Sequence, residues 1–178
     1  TGGPVFASPI IEAGIAYIAS TDRTIAALDI QHGRLLWQFQ TDTAVYSTPL
    51  VDHKTLYVAA LSGTFYALDK ISGHILWQTK IGPDGANLWS SPIIANGLVL
   101  FGVASSLNEQ PKVPGQLVAL DARTGQIRWR TYTQPSAMPG AGVWSSPVVD
   151  LSQQIVYVGT GDPDDGAGIA TRRSARTA

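Results

Sequence analysis

The sequence predicts an all-β chain, and three observations carry that prediction. A motif recurs along the chain, hydrophobic residues alternate with period two inside each recurrence, and no window shows the capped 3.6-residue apolar period of a helix. Ala27-Leu28-Asp29 returns as Ala67-Leu68-Asp69 and as Ala119-Leu120-Asp121. Each Asp is followed four residues later by Gly33, Gly73 or Gly125, and eight residues later by Trp37, Trp77 or Trp129. A Ser/Thr-Pro pair precedes each copy, at Ser8-Pro9, Thr48-Pro49 and Ser91-Pro92. A fourth pair, Ser146-Pro147, opens a unit without its own Ala-Leu-Asp.

Within the first unit, residues 8–12, 15–20, 24–29 and 34–40 read as four short strands joined by tight turns. Alternation after Gly33 puts Leu35, Trp37 and Phe39 on one face and Arg34 and Gln38 on the other. Such a unit is one blade of a β-propeller, and the chain holds about three and a half of them. The repeat units span about 7–46, 47–89, 90–144 and 145–178, the last incomplete, within a single partial propeller over 1–178. Proline-to-proline spacings are 40, 43 and 55 residues. The excess in the third unit falls on an insertion around 104–116 and a longer loop at 131–142.

The recurring residues have mechanical work to do. Asp29, Asp69 and Asp121 can accept hydrogen bonds from turn amides, and the glycines supply the positive φ of a tight connection. A tryptophan at one fixed outer position can wedge between neighbouring sheets where radial packing leaves a widening gap.

Composition excludes several function classes. Charged residues make up only 14% of the chain and the net charge is −1, which leaves no electrostatic footprint for nucleic acid or an anionic membrane. No stretch has the length of a membrane span, and no cysteine is present to form disulfides, thiolate metal sites or thiol nucleophiles. His32, His53 and His74 do not converge in spacing, so no zinc site is indicated. Arg172, Arg173 and Arg176 form a short basic tail that reads as an irregular or out-of-register end rather than a binding patch.

The motif Ala-x-Asp-x-x-x-Gly-x-x-x-Trp at this period resembles the tryptophan-docking repeat of pyrroloquinoline quinone (PQQ) propellers, which typically have eight blades. Such repeats occur in quinoprotein alcohol dehydrogenases and also in non-catalytic scaffolds, such as the propeller lipoprotein of outer-membrane protein assembly. Two stretches are similar to the enzymes, with wording nearest to polyvinyl-alcohol-dehydrogenase-like quinoproteins. One runs from Leu100-Phe101-Gly102-Val103-Ala104-Ser105 to Glu109, the position at which the family binds calcium. The other runs from Gly142-Val143-Trp144-Ser145-Ser146-Pro147 to Gly159-Thr160-Gly161-Asp162-Pro163. There the family places a tryptophan under PQQ and an Asn on the same calcium; Trp144 and Asp162 take those places.

The resemblance implies a parent that oxidises a small or polymeric alcohol with PQQ and Ca2+, passes electrons to a carrier such as cytochrome c, and works in the periplasm or another extracytoplasmic space. A flat quinone suits an indole face, and calcium suits carboxylate oxygens. Plainer readings stand beside these. An aromatic sits three residues before the proline in every unit (Phe6, Tyr46, Trp89, Trp144), so packing is an alternative for Trp144. Glu109 lies in a polar insertion with Pro111 and Pro114, where a carboxylate is ordinarily solvated, and 161–166 is a natural turn.

The chain departs from the enzymes at Ala59-Ala60, where alcohol-oxidising members commonly carry adjacent cysteines. The family's catalytic aspartate would fall beyond residue 178. The chain is therefore expected to be a fragment with little turnover of its own, and the scaffold remains the alternative function.

Overall fold

The computed structural model of the chain describes residues 1–82, 85–105, 113–135, 139–161 and 175–176. The described elements are β-strands in separate antiparallel sheets. The first sheet runs in order through β1 (Ile10–Glu12), β2 (Ile15–Ala19), β3 (Thr24–Asp29) and β4 (Arg34–Gln40). The second repeats it with β5 (Leu50–Asp52), β6 (Thr55–Ala59), β7 (Thr64–Asp69) and β8 (Ile75–Lys80). The third contains β9 (Ile93–Ala95), β10 (Leu98–Val103), β11 (Gln116–Asp121) and β12 (Ile127–Tyr132).

A fourth sheet holds β13 (Val148–Asp150), β14 (Ile155–Tyr157) and β15 (Ala175–Arg176). Ala175 and Arg176, within the tail read from sequence as irregular or out of register, pair with Val156 and Ile155. Among the described residues no helix is long and apolar enough to cross a membrane.

Strand alternation turns one face of each sheet to the sheet before it and the other to the sheet after it. Tyr17, Ile25 and Ala27 of the first sheet meet Leu56, Val58 and Leu68 of the second, all fully buried. Tyr57, Phe65 and Ala67 on the second sheet's opposite face meet Val99, Phe101 and Leu120 of the third. Phe65 and Phe101 stack there with ring centroids 4.6 Å apart. Leu100, Leu117 and Ala119 then face Val156 of the fourth sheet. Burying a large apolar side chain stabilises by about 1.5–3 kcal/mol, so these three layers of packing dominate the fold's energetics.

The predicted turn chemistry is present in all three copies. Asp29 Oδ1 accepts from the amides of Gln31 and His32, Asp69 Oδ1 from Ile71 and Ser72, and Asp121 Oδ1 from Arg123 and Thr124. Gly33, Gly73 and Gly125 close these turns at φ 66°, 75° and 72°. The tryptophan that follows crosses to the next sheet. Trp37 Nε1 donates to the Lys70 carbonyl at 3.0 Å, and Trp77 Nε1 to the Ala122 carbonyl at 3.1 Å. Trp129 packs toward Val149 and Val156 and lines a cleft of about 300 Å3 between the third and fourth sheets.

One expectation about the fourth strand fails. Ala27 pairs with Trp37, but its neighbour Leu28 pairs with Leu35, so a β-bulge leaves Leu36 without an opposite residue. Since Ala27 and Leu28 point to opposite faces, Leu35 lies on the face opposite Trp37 rather than beside it, and it is 56% exposed. The same register shift recurs at Ala67/Leu68 and Ala119/Leu120. It lets a bulky indole point inward while the preceding aliphatic residues face solvent.

Candidate functional site

β1 and β5 approach one another across a sheet boundary, while the fourth strands carry many of the exposed positions. Each first strand is entered through an aromatic residue followed by Ser/Thr-Pro, and a residue before proline is held extended. The aromatics are thereby presented at equivalent places, and they touch in series. Phe6 stacks on Tyr46 at 5.4 Å and 16°, Tyr46 meets Trp89 at 4.9 Å and 53°, and Trp89 meets Trp144 at 5.6 Å and 33°.

Beside this arc runs a ladder of hydroxyls. The Ser8 amide donates to Thr48 Oγ1 at 3.2 Å, and the Thr48 amide donates to Ser91 Oγ at 2.9 Å. The recurring aromatics and the Ser/Thr-Pro pairs thus form one continuous seam, a packing role that the sequence reading left open. Trp144 ends the arc with its ring against Trp89 on one side and 38% of its surface exposed.

The two long loops of the third unit converge on the same end of the arc. The Ala104 and Asn87 backbones exchange hydrogen bonds, and Trp89 Nε1 donates to the Ser105 carbonyl at 3.2 Å. The Val113 amide donates to Ser105 Oγ at 3.0 Å, the Gly115 amide to the Gly140 carbonyl at 2.9 Å, and Thr133 Oγ1 to the Ala141 carbonyl at 2.8 Å. From there the Gly161 amide donates to the Gly142 carbonyl at 2.8 Å. A Cβ at Gly161 would lie 3.0 Å from Trp144 Nε1, and one at Gly142 would lie 3.1 Å from it.

Of the site residues expected from sequence, Trp144 is described, whereas Glu109 and Asp162 lie outside the described residues. The chain on either side of Glu109 is tied to Ser105, beside Trp89. Gly161, directly before Asp162, borders the Trp144 indole. Among the described residues no group of three or more His, Cys, Asp or Glu is assembled that could hold a metal ion.

Stacked four-stranded sheets, tryptophans bridging from one to the next, and an aromatic seam define a β-propeller of the PQQ-repeat type. The chain belongs to that family: a family profile described as outer membrane protein assembly factor BamB matches residues 44–176. A polyvinylalcohol dehydrogenase of a Pseudomonas species is 31% identical, over 43% of this chain and 16% of its own length. Among solved structures, quinohemoprotein alcohol dehydrogenase from Comamonas testosteroni aligns with a TM-score of 0.78 at 23% identity, covering 90% of this chain and 29% of its own. BamB from Moraxella catarrhalis aligns with a TM-score of 0.69 at 22% identity, covering 89% of this chain and 44% of its own. At these identities the two structures establish the shared fold. The chain spans 16% of the length of the polyvinylalcohol dehydrogenase it matches.

Proposed function

We propose that this chain forms part of a PQQ-dependent, alcohol-oxidising quinoprotein and that Trp144 is the floor of the cofactor seat. The observation that carries the reading is the setting of Trp144: its ring is backed by Trp89, and Gly142 and Gly161 leave its indole nitrogen uncrowded. The residues around it suit a flat ring. Glycines at 142 and 161 border the indole nitrogen, where side chains would crowd it. Trp89 supports the ring from behind, so an indole in this place keeps its orientation when a ligand stacks on it.

Glu109 and Asp162 are the carboxylates proposed to hold calcium, each following a segment anchored beside the arc, at Ser105 and at Gly161. Bound there, PQQ would accept the hydride released by the alcohol, and calcium would polarise its carbonyl as a Lewis acid. The substrate in this reading is a small or polymeric alcohol. The electron acceptor is a carrier such as cytochrome c, the catalytic base lies beyond residue 178, and the setting is extracytoplasmic. The sequence likeness to a polyvinylalcohol dehydrogenase supports it. A second reading, a non-catalytic scaffold for protein assembly, is favoured by the description of the matching family profile.

The test adds PQQ and calcium to the protein and follows tryptophan emission, then adds an alcohol and a redox dye. Quenching that needs both additions, is lost in Trp144→Phe, and is followed by dye reduction with alcohol is the expected result. Unchanged emission and no dye reduction would support the scaffold.

A further inference from the structure

The repeat is broken at two neighbouring places, and both act on the residues flanking Trp144. The first is the serine that follows the aromatic. Ser47 Oγ donates to the Ala59 carbonyl at 3.0 Å, and Ser145 Oγ reaches the Gly159 carbonyl at 3.5 Å; each ties the entry segment to its own sheet. Ser90 occupies the same place in the third unit and is fully buried. Its hydroxyl instead crosses to the following unit and donates to the Ser145 carbonyl at 2.9 Å.

The second break is Gly102, which stands where the earlier units have Ala19 and Ala59. A Cβ at Gly102 would lie 2.4 Å from the Val143 carbonyl oxygen and 2.3 Å from its Cγ1. The missing methyl makes room for the Val143 carbonyl and side chain against β10, whereas the Val143 amide bond to the Val103 carbonyl at 3.1 Å repeats the Val45 amide bond to the Ser20 carbonyl at 3.2 Å across Ala19. Trp144 is therefore clamped on both sides, at Val143 by the space above Gly102 and at Ser145 by the Ser90 hydroxyl.

We infer that Ser90 and Gly102 are positioning residues that hold the Trp144 ring at its angle to Trp89. The inference builds on the reading of Trp144 as the cofactor floor, but the clamp itself is a property of the chain. A hydroxyl kept only for stability would satisfy its own sheet, as Ser47 does; one that bridges to the residue after Trp144 ties the direction of that side chain to the preceding unit.

Two indoles 5.6 Å apart couple their transitions, so circular dichroism in the indole bands reads their mutual angle without any ligand. Trp144→Phe sets the signal for an uncoupled pair. Ser90→Ala is expected to fall to that level, Ser90→Thr to restore the couplet, and Ser47→Ala to leave it intact. Gly102→Ala is expected to alter it as well, and the serine series decides the matter should that variant not fold. A wild-type couplet in Ser90→Ala would overturn the inference. PQQ titration separates the two readings: where Trp144 is the cofactor floor, loss of the clamp in Ser90→Ala weakens emission quenching by PQQ about tenfold. A couplet that responds to Ser90→Ala in a protein whose wild type does not bind PQQ would uphold the clamp and remove the cofactor.

Discussion

A Cβ placed on Gly73 would stand 2.6 Å from Cε3 of Trp37. The glycine therefore serves twice: it takes φ 75° in its turn, and it leaves room for the indole arriving from the preceding sheet. Gly125 receives Trp77 in the same way, with a Cβ distance of 2.4 Å to Cε3. Gly33 makes the same turn at φ 66°, but no atom lies within 4 Å of its Cβ position. Gly33→Ala thus meets backbone strain alone, about 1 kcal/mol. Gly73→Ala adds overpacking of about 1–3 kcal/mol against a rigid ring. Urea unfolding of the two variants should show the larger loss at Gly73, and equal losses would mean that the ring gives way freely.

Tyr17 and Tyr57 hold equivalent positions and differ in one hydrogen bond. Tyr57 donates its hydroxyl to the Ala122 carbonyl at 3.0 Å, whereas the buried Tyr17 hydroxyl has no partner. Burial raises the pKa of both phenols. Removing a made hydrogen bond costs about 1 kcal/mol, and removing a buried unpaired hydroxyl relieves a desolvation penalty. Tyr57→Phe should lower the unfolding free energy by about that amount, while Tyr17→Phe should leave it unchanged or raise it. A comparable loss in both would show that Tyr17 finds a partner in solution.

The turn carboxylates set the response to acid. Burial pushes the Asp22 pKa up, but hydrogen bonds from Thr24, the Gly2 amide and Ser20 outweigh it and bring the group to about 2. The Ser72 amide and hydroxyl lower Asp69, and the Thr124 hydroxyl and amide lower Asp121. These bonds exist only in the folded state, so each folded pKa lies under the unfolded value of about 3.9. Their contribution is complete above that value and disappears as pH falls through the folded pKa. The urea midpoint should hold steady from neutrality to about pH 4.5 and decline between about 4 and 2. Asp22→Asn should flatten the lowest part of that decline, and a midpoint that drops with the same slope in the variant would locate the effect elsewhere.

What sequence could read and what it could not divide along physical lines. The Asp-to-Gly turn and the bridging Trp repeat because every sheet meets the same local problem, so three copies of one solution were visible in Asp29, Gly33 and Trp37 and their counterparts. The bulge that flips Leu35 was hidden, because an inserted residue leaves a hydrophobic run looking like clean alternation. Trp144 could be singled out by its place before Ser145-Ser146-Pro147, yet its contact with Trp89 joins residues 55 apart and follows from how the sheets stack. Gly102 left a faint signal, a glycine where the first two units have Ala19 and Ala59 and the fourth has Gly159. Ser90 left none, since its residue type matches Ser47 and only its bonding partner differs.

The calcium proposal makes unequal demands on its two carboxylates. A hard divalent cation is held by oxygen donors, and its affinity rises with the number and charge of those donors. Glu109→Ala removes both charge and oxygens, whereas Asp162→Asn removes one charge and keeps a carbonyl oxygen in place. Calcium affinity, measured by isothermal titration calorimetry in the presence of PQQ, should therefore fall most in Glu109→Ala, by about a hundredfold, and by about tenfold in Asp162→Asn. Glu12→Gln, which removes a carboxylate paired with Lys70 at 2.5 Å between the first two sheets, should leave calcium binding unchanged and serve as the control for net charge. If all three variants bind alike, neither Glu109 nor Asp162 is a ligand; if Glu12→Gln weakens binding as much as the others, the cation responds to overall charge rather than to a built site.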